Sequence, residues 1–242
     1  MQIIGVDCAA QYKNVGVAVA VDGDVQSVFV KEKAPIDRIV EWVNPSNPIL
    51  VTIDAPLGWP APMKSELIDH RPGDPIDTEP NALFRRRTDL FVHEALGITP
   101  LDVGADRIAR TAHSALQIIS ELRSQLGHSL PLLWHIPSGN ASGVIEVYPA
   151  ATLKAHGLPS RRYKSRNGSR KTRAEIVGGL TERLSLSIDT EVLLSNDDAL
   201  DAVVCILAGL DFLEESVYAP AESRNVVEQE GWIWFRASGT KN

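Results

Sequence analysis

The chain has 242 residues, 44% of them hydrophobic and 23% charged, which suits one large domain or two small ones and is long enough to bury a real core. Its net charge of -7 excludes a dedicated basic coat for nucleic acid, so any nucleic-acid contact must come from local patches. Cys8 and Cys205 lack zinc or disulfide-framework spacing, the histidines form no HExxH pair, no apolar run reaches membrane-span length and no charged leader opens the chain, so the expectation is a soluble, reducing, cytoplasmic protein.

Gln2-Ile-Ile-Gly-Val-Asp7 reads as a strand covered on both faces and closed by an acid. Gly16 to Val21 and Val25 to Lys31 flank Asp22-Gly23, a strong hairpin signal, so the chain opens with an antiparallel meander. Pro35 to Val43 carries apolar residues at helical spacing, and Asn44-Pro-Ser-Asn-Pro48 ends it. Ile49-Leu-Val-Thr-Ile-Asp54 is a second strand closing on an acid. A helical crossover would lay it parallel to the first and bring Asp7 and Asp54 to the same carboxyl-terminal edge, where open α/β sheets place their sites. From about 55 to 103 prolines break the pattern into a long irregular insertion, with a helix expected from Leu90 to Leu96. Gly104 to Leu126 has the apolar stripe of an amphipathic helix, and Gly143 to Tyr148 is a strand holding Glu146 between apolar neighbours.

Residues 160–173 form an acid-free basic loop with Arg161, Arg162, Lys164, Arg166, Arg170, Lys171 and Arg173, overlapping a helix expected from Lys171 to Leu184. A late helix begins at Ser195-Asn-Asp-Asp-Ala-Leu-Asp201 and is apolar nearly all round after its second turn. Glu230 to Phe235 reads as a final strand or hairpin arm. No repeat or composition shift divides the chain, so a single domain over 1–242 is expected.

Three elements each offer carboxylates: Asp7, Asp54, and the pair Asp198 and Asp201, which share one helix face at i, i+3. Asp198 also suits a capping box with Ser195, and Asp7 suits a turn cap over residues 12–14. Asp201 lies a turn deeper on an apolar helix, where an unpaired charge is costly. Brought together, these groups would repel and rebind protons unless a hard cation met them. Mg2+ or Mn2+, as one ion or two, would take such oxygen ligands, with Glu146 as a further candidate.

In this order and spacing the elements resemble the ribonuclease-H-like superfamily, notably RuvC-like junction resolvases. More closely, Gly5-Val-Asp7, Ile53-Asp-Ala-Pro-Leu-Gly58, Arg86-Arg-Thr-Asp89, Glu146-Val-Tyr-Pro149, Asp197-Asp-Ala-Leu-Asp-Ala-Val-Val-Cys205 and Glu230-Gly-Trp-Ile-Trp234 look like the predicted nuclease family known as domain-of-unknown-function 429. The resemblance runs from residue 2 to about residue 235. It implies a mixed five-stranded sheet of order 3-2-1-4-5 with strand 2 antiparallel, a divalent metal, and Arg87 and Asp89 as groups lining the site. The resulting expectation is a metal-dependent nuclease acting on DNA or RNA through Asp7, Asp54, Asp198 and Asp201.

Arg86, Arg87, Asp89, Lys164 and Arg170 are the candidate substrate-binding residues, the arginines as phosphate forks and the basic loop as a backbone track. Salt-bridging is the alternative for the 85–87 run and for Glu146, and a solvated surface loop is the alternative for 160–173. Trp232 and Trp234 suit either base stacking or core packing. Two other functions compete: a non-catalytic metal- or nucleic-acid-binding protein of the same fold, and an actin- or sugar-kinase-like nucleotide binder, for which the chain lacks a second copy and a glycine-rich phosphate turn.

Overall fold

The structure is a computed structural model describing residues 1–44, 46–127, 129–135, 141–165, 169–220 and 222–239. In chain order the elements are β1 (Gln2–Asp7), a 3-10 turn (Tyr12–Asn14), β2 (Gly16–Val21), β3 (Asp24–Val30), α1 (Pro35–Trp42), β4 (Ile49–Asp54), α2 (Ala61–Leu67), α3 (Pro80–Phe84), α4 (Arg87–Leu96), α5 (Asp106–Leu126), β5 (Gly143–Val147), α6 (Pro149–Ala155), α7 (Ser169–Leu180), β6 (Ser185–Leu186), α8 (Glu191–Ser195), α9 (Asp197–Leu213), α10 (Arg224–Glu230) and β7 (Ile233–Trp234). The strands make one mixed sheet of order β6-β3-β2-β1-β4-β5-β7. The expected order 3-2-1-4-5 forms its centre, with β2 antiparallel to β1 and β4 parallel to it. The expectation of five strands falls short by two: β6 lengthens one edge beside β3, and β7 pairs parallel to β5 at the other.

Period-2 alternation decides which helix each strand residue meets. Ile4, Val6, Val51 and Ile53 pack with α1 and α5 on one face. Ile3 and the residues of its parity turn to the other face, where α9 and α7 close the core through Leu200, Val203, Val204, Ile176 and Leu180. Asp22 and Gly23 hold positive φ values of 49° and 81°, the backbone a primed hairpin turn requires, as the Asp-Gly pair predicts.

Several local expectations are corrected. The insertion is not wholly irregular, because α2, α3 and α4 fold within it, α2 and α3 carrying proline in their first turns. Helix α4 starts at Arg87 rather than Leu90, because the Asp89 carboxylate accepts from the Arg86 backbone N–H at 2.9 Å and begins the helix there. Helix α7 takes Arg170, Lys171 and Arg173 out of the basic loop, and ends at Leu180 so that Ser185 and Leu186 can pair with Asp24 and Val25. The capping box between Ser195 and Asp198 does not form: Ser195 ends α8, and Asn196 caps α9 by accepting from Ala199 N–H at 2.9 Å. Both tryptophans of the closing motif are core, with Trp234 edge-on to Phe212 and the Trp232 indole donating to Tyr218 O, so neither is free to stack a base. No helix among the described residues is long and apolar enough to cross a membrane.

Helix α9 lies against the sheet at backbone distance. A Cβ on Gly5 would sit 2.0 Å from Ala202 O, and one on Gly16 would sit 2.3 Å from Asp198 O. Both obstacles are main-chain atoms and cannot swing aside. Gly5→Ala is therefore expected to lower stability by about 1–3 kcal/mol or more by overpacking. Urea denaturation checks this, and an unchanged midpoint would mean that α9 is not held this closely.

Candidate metal and active site

The register pairs Asp7 with Asp54 on adjacent parallel strands, so both side chains leave the same sheet face at the same edge. Their parity is that of Ile3 and Gly5, the α9 face. Because Gly5 lets α9 settle onto β1, Asp201 reaches the same place from above. One oxygen each of Asp7, Asp54 and Asp201 lie within 4.8 Å of one another. Asp201 is fully buried and Asp7 nearly so, while Asp54 keeps partial exposure toward a cavity of about 460 Å³. Cys8, Tyr148, Pro100, Leu101, Arg161, Arg162 and Lys164 are among the residues lining that cavity.

The loop between α6 and α7 supplies the balancing groups. Tyr163 Oη donates to Asp201 Oδ1 at 2.9 Å, and Lys164 Nζ forms an ion pair with Asp201 Oδ2. Arg162 holds a φ of 65°, a conformation a non-glycine residue adopts only under constraint. The constraint is visible: buried Arg173 donates to Tyr163 O at 2.9 Å and to Leu194 O at 2.7 Å, pinning the loop to α7 and α8. Tyr163 and Arg173 were not singled out from sequence in these roles. Tyr163 is the sole aromatic residue within the 160–173 run, which is the signal that marks it.

Loss of water dominates the electrostatics. Burial raises the Asp7 carboxyl well above its ordinary range, with Asp201, Asp54 and Asp198 adding repulsion and Lys164 opposing it. Asp54 is pushed up to about 7 by burial, against the pull of Lys164, and accepts a hydrogen bond from Asp7 that needs a proton on the Asp7 carboxyl. Asp201 is raised by burial and held back by Lys164 and Tyr163. Burial works against the Lys164 charge, but Asp201, Asp7 and Asp54 outweigh it and keep the ammonium protonated.

The other candidate acids and arginines stand outside the carboxylate cluster, although Glu146 and Arg86 also line the cavity. Glu146 pairs in register with Ile53, not Asp54, so its side chain leaves the opposite face. There it receives Arg86 Nη1 and Nη2 at 2.9 and 2.7 Å and Leu57 N–H at 3.0 Å, which makes it a salt-bridge partner rather than a member of the carboxylate cluster. Asp198 sits one strand over, above Gly16, and stands outside the cluster as a half-buried neighbour whose own carboxyl is raised by burial. Arg86 spends all five N–H donors inside the protein, on Asp89, Glu146 and Glu230 O, so no fork is left for phosphate. Asp89 is buried against it. Arg87 is exposed and pairs with Glu222, and Arg170 pairs with Glu191 on the surface. Arg166 lies outside the described residues.

Two outcomes test this layout. Replacing Arg86 by methionine strands two buried carboxylates and is expected to cost about 3–5 kcal/mol; chemical denaturation reads it, and lysine, lacking the fork, should rescue little. The raised Asp54 carboxyl fixes a second sign. Its stabilising contribution to the metal-free protein is complete below the unfolded value of 3.8 and is lost as pH rises through about 7. In chelator, the melting temperature should fall over that window and fall less in Asp54→Asn; equal slopes would show that Asp54 is not buried among like charges.

A family model described as "Protein of unknown function (DUF429)" matches residues 5–225. No curated protein and no solved structure matches the chain. The matched span includes all three clustered aspartates, Lys164 and the Arg86, Asp89 and Glu146 hub, and the chain belongs to the DUF429 family.

Proposed function

We propose that the chain is a metal-dependent nuclease of ribonuclease-H-like kind, hydrolysing phosphodiester bonds in nucleic acid. The observation that carries this reading is the convergence of Asp7, Asp54 and Asp201, from two parallel strands and a helix, on one spot at the carboxyl-terminal edge of the sheet. The central strand order, with β2 antiparallel and acids closing the first and fourth strands, supports the ribonuclease-H-like part. The donor set fits a hard divalent cation: all three ligands are carboxylate oxygens, close enough to share an ion, and their raised proton affinities mark an unmet demand for positive charge.

Asp7, Asp54 and Asp201 would hold the ion. Bound there, Mg2+ or Mn2+ supplies Lewis-acid stabilisation of charge on a phosphoryl oxygen and acidifies a water. The chain's own groups do the rest. Lys164 and the rim arginines Arg161 and Arg162 attract and orient the phosphodiester. Pro100, Leu101 and Tyr148 wall the cavity and limit water around the reacting centre. Asp198 tunes the field at Asp7 from outside the ligand set.

A panel of labelled single- and double-stranded DNA and RNA in Mg2+ or Mn2+ tests the proposal. Wild type should cleave at least one member, and Asp7→Asn, Asp54→Asn and Asp201→Asn should each fall to the level of buffer. Equal cleavage by wild type and Asp7→Asn would refute the reading. Ion binding without turnover on any substrate would favour a binding protein of the same fold.

A further inference from the structure

We infer that the Lys164 ammonium is a built-in cation of the acid pocket, standing in for one of two divalent ions, so that the site takes a single Mg2+ or Mn2+; this rests on the metal-dependent reading above. Formal charge argues first. Ionised Asp7, Asp54 and Asp201 carry three negative charges, and Lys164 cancels one of them. The two that remain are neutralised by one divalent ion. A second would leave these four groups and the ions net positive beside Asp201, which is fully buried, where uncompensated charge is costly.

The geometry assigns the places. Asp201 has one carboxylate oxygen engaged by Tyr163 and the other by Lys164. Asp7 and Asp54 instead turn to each other across the β1 and β4 register, with no cation in direct ion pair with either among the described residues. The ion would therefore bind from the Asp7 and Asp54 side, with Asp201 completing the set, and the lysine's place is on the Asp201 side.

Lys164 is not a stray surface side chain that happened to fall inward. The preceding residue donates to the same carboxylate, Arg162 is held in a left-handed backbone conformation, and a buried arginine from another helix fixes the Tyr163 carbonyl. Three constraints over three consecutive residues deliver one ammonium to one oxygen. Lysine suits the task as a compact point charge with three donors, whereas the planar guanidinium fork needs more room. Half of the Lys164 side chain remains exposed on the cavity side, so a donor can turn toward an arriving phosphate oxygen without leaving the pocket.

The test counts ions rather than turnover. Mn2+ is titrated into the full chain, and bound ions per chain are read by electron paramagnetic resonance, with circular dichroism as a check on folding. Wild type should bind a single ion. Lys164→Met and Lys164→Gln should gain a second, and Lys164→Arg, which keeps the charge, should not. A second ion in wild type overturns the inference whether or not any variant folds, and so does an unchanged count in the folded neutral variants. Failure of the nuclease reading looks different. A wild-type chain that binds its one ion and cleaves nothing in the substrate panel leaves the role of Lys164 standing, whereas cleavage by a chain binding two ions removes the role and keeps the nuclease.

Discussion

Like charges withdrawn from water govern this molecule. Carboxylates within 4.8 Å of one another, at an effective dielectric constant near 20, repel by roughly 3 kcal/mol per ionised pair, a large share of the stability of a whole domain. The chain accepts that repulsion where three elements converge, then surrounds it with relief: burial that favours protonated Asp7 and Asp54, a phenol, and an ammonium on a strained loop. None of this is needed to build the sheet, whose core closes through Ile, Val and Leu on both faces. The cost is concentrated where chemistry is proposed, which is the pattern expected when local strain is retained for function.

On the other face of the same sheet the opposite arrangement appears. Arg86, Asp89 and Glu146 are equally buried, yet every guanidinium N–H has an acceptor and the two carboxylates straddle the cation between them. One site is satisfied and the other is not, although each joins at least one acid near a strand end to an acid on a helix. Parity separates them: Asp54 and Glu146 lie on adjacent strands, but a one-residue offset in register sends them to opposite faces. The satisfied hub anchors the insertion, and its Arg86 and Glu146 line the same cavity as Asp7 and Asp54.

The strand-end acids were legible because two apolar strands, expected to lie parallel, each close on a carboxylate, with a turn cap as the alternative for Asp7, and the hairpin was legible because Asp-Gly specifies its backbone. Asp201 was legible from depth on an apolar helix. Asp198 was drawn into the same group by helical spacing alone. Spacing could not show that α9 crosses the sheet so as to leave Asp198 above Gly16 on the next strand. Glu146 and Arg86 were read as offering both a site role and a salt bridge, because the pairing register that settles it joins β4 to β5 across a long intervening stretch of chain. Lys164 looked like one member of a solvated basic run, since its inward turn depends on Arg173 from a later helix. What local pattern carried was visible, and what required distant partners was not.

The closing segment has a consequence for how the molecule is assembled. Glu230 accepts from the backbone of Ala61 and of Arg87, 169 and 143 positions earlier in the chain, and the Ile233 N–H meets Thr88 Oγ1 across 145 positions. During synthesis, the insertion therefore leaves the ribosome long before its fasteners exist. Until they emerge, the insertion lacks these three bonds, although Asp7 and Asp54 have already been made. Such long-separation closure is slow to form, so the insertion is fastened only once residues 230–233 have joined α2 and α4.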